Sequence, residues 1–245
     1  MNKLVVLPLI SFLIIGCGSD NEGGNPSADL AADKARLGEK LYSDVNLSFD
    51  RTQSCATCHN PDHGFIDERT NSASIGQGVS AGSLGDNGIS IGDRNAPSAA
   101  YAALSPNFYH GVRTRTATQV KNGDYTGFIG GQFWDGREDD LAGQAGGPPT
   151  NPDEMGMPDK ASVIARIQEN EGYISEFEKI FGTDIFNIVD AAYLAMAESI
   201  AEFEKTPDFA PFDSKYDRSL TGDYVYPILS KARDGKALFF SSDFT

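Results

Sequence analysis

Ser54-Cys55-Ala56-Thr57-Cys58-His59 decides how this chain is read. A C-x-x-C-H string is the attachment site of a c-type haem: two thiols add to the haem vinyl groups, and the adjacent imidazole becomes the proximal iron ligand. Two cysteines three apart lie near one edge of a porphyrin, and the next side chain falls under the iron. A zinc knuckle and a thioredoxin-like redox pair are the competing readings. Zinc would want a second Cys/His pair, but the other cysteine is Cys17 and the other histidines are His63 and His110. A redox C-x-x-C would want a βαβ context, which the surrounding pattern lacks. Covalent haem at Cys55 and Cys58, with His59 on the iron, is the expectation.

The N-terminus places that haem outside the cytoplasm. Lys3 precedes an apolar run from Leu4 to Ile15, too short to span a bilayer as a helix. It ends Ile14-Ile15-Gly16-Cys17, which reads as a lipobox, against the alternative of an ordinary secretory signal with a chance cysteine. Residues 1–17 are thus expected to be a lipoprotein signal ending in an acylated Cys17. Residues 18–29, rich in Ser, Asp, Asn and Gly, form a flexible tether. The expected location is the cell envelope or periplasm, with the membrane reached through the lipid anchor only. All three cysteines are assigned, so none remains for a disulfide.

About 215 residues follow the tether, enough for one large or two small domains. A formal net charge of −15 argues against nucleic acid and against an anionic membrane surface. It suits a basic redox partner, or simply a solvated acidic surface. The pattern is mainly α: helical periodicity dominates, and no run alternates as a clean strand. Gly, Pro and Asn are dense from Gly76 to Pro158, which predicts loops with short helices. Ile188 to Lys205 is the clearest amphipathic helix, expected to pack back on the haem domain or to lead into a second one.

A weak repeat is also present. Lys34-Ala-Arg-Leu-Gly-Glu-Lys-Leu-Tyr42 and Lys231-Ala-Arg-Asp-Gly-Lys-Ala-Leu-Phe239 agree at five of nine positions, and both read as helices. Cys55 follows Gly38 by seventeen residues, and the same offset from Gly235 falls at about position 252, beyond Thr245. If the match is more than chance, the chain stops just before a second haem motif.

Ordered motifs then make a resemblance specific. Leu37-Gly38-Glu39-Lys40-Leu41-Tyr42, the haem string, Gly64-Phe65, Arg94-Asn95-Ala96-Pro97-Ser98, Gln132-Phe133-Trp134-Asp135-Gly136-Arg137, Gln144-Ala145, Gly147-Pro148 and Asn151-Pro152-Asp153-Glu154-Met155 follow one another. From about Leu30 onward the chain resembles the bacterial di-haem cytochrome c peroxidase and MauG family.

The resemblance implies a cytochrome c-like haem domain with long loops over residues 30–155. Residues 156–245 would be a helical connection and the truncated start of a second cytochrome c-like domain. It implies that His59 serves the peroxide-reacting haem and that Trp134 relays electrons between two haems; a core role is the competing reading of Trp134. Gln144 and Glu154 match the distal-pocket residues. A carboxylate there can move a proton between the peroxide oxygens, and an amide can orient the peroxide. Alone, Glu154 would read as a helix-start acid and Gln144 as part of a solvated helix face. Asn95 resembles a ligand of an inter-domain calcium. One haem c is expected in this chain and a second in the full-length protein.

Two departures from the family pattern matter. Peroxidases that need reductive activation cap the resting iron with a loop histidine, yet Arg69 to Gly82 contains none. His63 lies too close to His59, and His110 reads as a surface-loop residue, so the sixth iron position is expected to be open or water-bound. Secondly, the electron-collecting haem's ligands are missing, and Met155 and Met157 lie almost a hundred residues beyond His59, too far for a single cytochrome domain. Peroxide reduction needs two electrons stored near the site, so a one-haem chain is expected to lack full turnover. The implied function is reduction of hydrogen peroxide with electrons from a small cytochrome c or cupredoxin, and a homodimer is compatible with it. The alternatives are a MauG-like oxidase that modifies a side chain on a partner protein, and a non-catalytic electron-transfer lipoprotein.

Overall fold

The computed structural model describes residues 26–69, 82–114 and 123–241. Cys17, the signal and residues 18–25 of the expected tether lie outside them, as does most of the histidine-free stretch between Arg69 and Gly82. The fold is mainly helical. Helix α1 (Pro26–Tyr42) is followed by the one-turn α2 (Cys55–Cys58), then α3 (Leu141–Ala145), α4 (Lys160–Gln168), α5 (Glu171–Phe181), α6 (Val189–Glu204), α7 (Lys215–Thr221) and α8 (Lys231–Phe239). Residues 26–29, assigned by composition to the tether, form the first turn of α1.

Side-chain caps set most helix starts. Asp140 accepts from Gly143 N–H before α3, Asp159 from Ser162 N–H before α4, Asn170 from Gly172 N–H before α5, and Ser230 from Arg233 N–H before α8. Each satisfies a backbone donor that a helix start leaves unpaired.

Helices α1 and α6 make the most extensive contact in the fold, and α6 also packs on α3 and α4. Leu37, Leu41 and Tyr42 of α1 meet Ala192, Ala195, Met196 and Ile200 of α6 in one core, joined by Val163 and Ile167 of α4 and Phe177 of α5. That core lies on both sides of the expected domain boundary at Met155. Ile188, expected on the apolar face of α6, is instead 65% exposed just before the helix. An aromatic cluster closes the core beside the haem motif: Tyr42 meets Phe203 and Phe209 edge-on, and Phe65 stacks on Phe209 at 4.1 Å.

The glycine-rich middle contains an element the sequence pattern hid. Strands β1 (Tyr109–Arg113) and β2 (Tyr125–Ile129) pair antiparallel with Gly111 opposite Gly127. A glycine at each strand centre and exposure on both faces erase the alternation that marks a half-buried strand. Helix α8 coincides with the second repeat segment. Among the described residues, no helix is long and apolar enough to cross a membrane.

Candidate active site

Helix α2 is a single turn held at both ends. Ser54 N–H donates to Thr57 Oγ1 at 2.9 Å, and His59 N–H donates to Cys55 O at 2.9 Å. Positions i, i+3 and i+4 share a helix face, and Cys55, Cys58 and His59 accordingly line one cavity. Asp86 braces the approach, accepting from Thr52 N–H at 3.1 Å and from Thr52 Oγ1 at 2.5 Å.

His59 Nδ1 lies 3.3 Å from Phe65 O. A carbonyl only accepts, so Nδ1 carries the proton and Nε2 keeps its lone pair free for a metal. Burial holds the imidazole below its ordinary pKa, against the opposing pull of the Phe65 and Pro97 carbonyls. Tyr42 Oη donates to His59 O at 3.2 Å and ties the motif to α1. Beside Cys58, Arg69 grips the buried Asp67 through two bonds of 2.8 and 2.7 Å and places Nη2 3.2 Å from Cys58 Sγ. Burial pushes the Cys55 thiol up to about 12 and the Cys58 thiol to about 11, so both are neutral thiols before any haem is attached.

The same cavity is lined by Gln144 and Glu154. Gln144 stands on α3, half-buried and not on a solvated face. Glu154 is not in a helix. It sits in a turn organised by Asn151, whose carbonyl accepts from Glu154 N–H at 3.1 Å and Gly156 N–H at 2.9 Å; Gly156 adopts φ +71°, which glycine alone accommodates easily. Glu154 O accepts from Asp86 N–H at 2.7 Å, linking this turn to the loop that braces α2. Burial raises the Glu154 pKa, and the Arg137 guanidinium works in the opposite direction.

Trp134 also lines the cavity, is 64% exposed, and donates Nε1–H to Asn95 O at 3.0 Å. It is therefore not a core residue. Its loop is tight: Gln132 N–H donates to Glu138 O at 2.8 Å, Phe133 takes φ +63°, and the Arg137 guanidinium lies 3.7 Å from the Phe133 ring centroid. A bulky residue in that conformation stores strain, and such strain gathers at functional sites.

Met155 departs from the sequence reading. Its distance along the chain put it out of reach of the haem, yet it is buried and lines the cavity, because the turn after Pro148 folds back: Met155 N–H donates to Pro148 O, and Met155 O accepts from Phe49 N–H at 2.9 Å. Met157 lies in the core. His110 is exposed on β1 against Phe128, and His63 is half-exposed in a short 3-10 turn. Among the described residues, His59 is the one histidine lining the cavity.

Sequence reasoning missed Glu204, a carboxyl only 5% exposed that reaches this cavity from the last turn of α6. The available signal was its place four residues after Ile200, on the buried stripe of an otherwise apolar face. Arg137 was recognised only as part of a motif, without its role beside Glu154.

These residues fit a c-type haem: two thiols and a correctly protonated imidazole form one wall, and Leu141, Ala145, Met155 and Ile200 supply apolar surface. The family profile described as "Di-haem cytochrome c peroxidase" matches residues 32–225. The chain belongs to that family. It is 43% identical to the methylamine utilization protein MauG of Paracoccus denitrificans, over 94% of this chain and 54% of that protein. It is 33% identical to the cytochrome c peroxidase Ccp of Escherichia coli, over 85% of this chain and 35% of that protein. Among solved structures, the diheme peroxidase BthA of Burkholderia thailandensis superposes with a TM-score of 0.66 at 27% identity, covering 79% of this chain and 43% of that one. The chain thus spans about half, or less, of the proteins it matches.

Calcium at Asn95 fits less well. Asn95 Oδ1 accepts from Ser83 Oγ at 3.2 Å, and its carbonyl accepts from Trp134. Calcium takes roughly six to eight oxygen ligands, and no grouping of three or more His, Cys, Asp or Glu side chains among the described residues could hold a metal ion. No step below depends on calcium.

Proposed function

We propose that this chain forms the peroxide-reacting half of a di-haem peroxidase, with haem c joined to Cys55 and Cys58 and ligated by His59. The observation that carries the reading is a single cavity bounded by the C-x-x-C-H turn and by Gln144 and Glu154. Bound haem supplies the redox iron at which the peroxide O–O bond is broken. The chain's own residues supply the rest. Glu154 is half-buried, and burial raises the proton affinity of its carboxylate; as the carboxylate it takes the proton from one peroxide oxygen and returns it to the other, ending as it began. Gln144 orients the peroxide through its amide. Trp134, at the cavity rim with an exposed indole face, passes electrons from a second redox centre. The donor is a small cytochrome c or cupredoxin. The test is stopped-flow mixing of the full-length, haem-loaded protein with hydrogen peroxide, followed by turnover with a reduced small redox protein. Failure of peroxide to alter the haem spectrum would overturn the reading.

A second reading has its own support. Identity to the Paracoccus MauG is higher, and covers more of this chain, than identity to the E. coli peroxidase. A MauG-like oxidase would direct the same oxidising equivalents at a partner protein's side chain. Turnover by a small redox protein favours the peroxidase; peroxide-dependent modification of a partner without that turnover favours the oxidase. A plain electron-transfer role would leave Gln144 and Glu154 without a task. Attachment to the cell envelope through Cys17 rests on the sequence alone. Cys17→Ser is expected to release the protein from membranes with its haem intact, and a wild-type protein already soluble after cell fractionation would remove the anchor from the proposal.

A further inference from the structure

Glu204 has no task in the reading above, and its setting calls for one. It ends α6, lies one turn beyond Ile200, and lines the haem cavity with it. The residue is only 5% exposed and faces the cavity, and burial is the sole influence on its carboxyl, with no hydrogen bond or cation offsetting it. An unpaired buried carboxylate is expensive in free energy, so a position that keeps one at a cofactor cavity is a functional candidate.

The charged surroundings are one-sided. Glu204 interacts with Tyr42 on α1 and Cys55 on α2, neither of which is cationic. The cavity's cations lie with other acids: Arg94 and Arg137 both pair with Asp135, and Arg137 also faces Glu154. The neighbouring Lys205 pairs with Glu202 at 2.8 Å. The acids Asp93 and Asp153 line the same cavity and add negative charge. No described residue supplies a counter-charge to Glu204, and burial pushes its pKa up to about 8.

We infer that Glu204 is a proton acceptor coupled to the redox state of the bound haem, gaining a proton whenever an electron arrives there. The inference rests on the haem reading. The ferric group carries one more positive charge than the ferrous group. In a low-dielectric cavity that charge favours the carboxylate, and its loss on reduction favours the acid. The step balances: a one-electron donor protein supplies the electron, solvent supplies the proton, one O–H bond forms at Glu204, and the charge of the pocket is unchanged. Electron entry is thereby relieved of the penalty of burying net negative charge.

The experiment is an optical redox titration of the haem-loaded protein from about pH 6 to about pH 9, around the expected titration of Glu204. Covalent haem is confirmed first by acid-acetone extraction. The wild-type midpoint should fall as pH rises through this range. Glu204→Gln should flatten the dependence and Glu204→Asp should restore it. A reduced-minus-oxidised infrared spectrum should show the C=O stretch of a protonated carboxylic acid appearing on reduction of the wild type and missing in Glu204→Gln. Absence of covalent haem overturns the haem reading and this inference with it. Haem present with a pH-independent wild-type midpoint, or with an unchanged slope in Glu204→Gln, overturns the inference alone. Should Glu204→Gln fail to mature, the wild-type and Glu204→Asp spectra decide: no carboxylic acid band on reduction overturns it.

Discussion

Gly38 of α1 lies directly against the backbone of Ser199 in α6. A Cβ on Gly38 would overlap the Ser199 carbonyl oxygen and come within 3.0 Å of Ile200 N. The close approach of the two principal helices is therefore written into one residue. Gly38→Ala would gain about 1 kcal/mol of helix propensity. It would lose more, because a backbone carbonyl cannot move aside as a flexible side chain can, and overpacking costs typically 1–3 kcal/mol or more (~). The expected net result is a lower Tm, by roughly 5 °C. Gly235 holds the corresponding place in the second repeat segment, and nothing described lies within 4 Å of its added Cβ. Gly235→Ala in this chain should instead be neutral or stabilising by about 0.5–1 kcal/mol. Thermal melts of the two variants check the pair, and equal effects would show that the α1–α6 contact tolerates a Cβ at position 38.

In the proposed site, covalent attachment would depend on two thiols that share a helix face. Cys55→Ala with Cys58→Ala, exported alongside a haem-maturation system, should yield protein without covalent haem. Acid-acetone extraction followed by a haem stain of the denatured protein is the measurement. Haem that stays with the double variant would mean attachment elsewhere.

What the sequence made legible is what is local. The C-x-x-C-H turn, helix α8 and all but the ends of α6 follow from spacing and periodicity within a few turns of chain. Gln144, Glu154 and Trp134 came from motif order, and the fold brings all three to the cavity of His59. What escaped depends on how the chain returns. Met155 reaches the cavity because the turn after Pro148 doubles back, and Glu204 because α6 packs across α1 and α3; neither return is encoded near the residue itself. Strands β1 and β2 escaped because Gly111 and Gly127 remove the alternation. Trp134 is exposed because its indole lines the open cavity and not the core.

Glu204 also sets a pH dependence of stability. Below its ordinary value of 4.5 it is protonated in both the folded and unfolded chain; between there and the folded value of about 8, only the folded protein keeps the proton. The unfolded state then binds fewer protons, so stability falls as pH rises through this window and is lost through the folded pKa. Between about pH 5 and about pH 8, the Tm of the wild type should drop more steeply than that of Glu204→Gln. Parallel Tm profiles would assign the loss to other groups.

Catalysis gives the sharpest separation of roles. Proton transfer by a placed carboxyl contributes about a hundredfold to ten-thousandfold. Glu154→Gln keeps the volume and much of the hydrogen bonding of the Asn151-centred turn, and removes only the titratable group. Peroxide should therefore react with the haem of Glu154→Gln at least about a hundredfold more slowly, while the resting spectrum hardly changes. Gln144→Ala should slow the reaction less, because an amide can orient peroxide but cannot shuttle a proton at neutral pH. Trp134→Phe should leave the first reaction with peroxide intact and slow the later electron delivery, since the ring survives but the Nε1–H bond to Asn95 O does not. Stopped-flow spectra of the full-length proteins resolve these steps. A peroxide rate near the wild-type value in Glu154→Gln would move the proton-transfer role to another acid of the cavity.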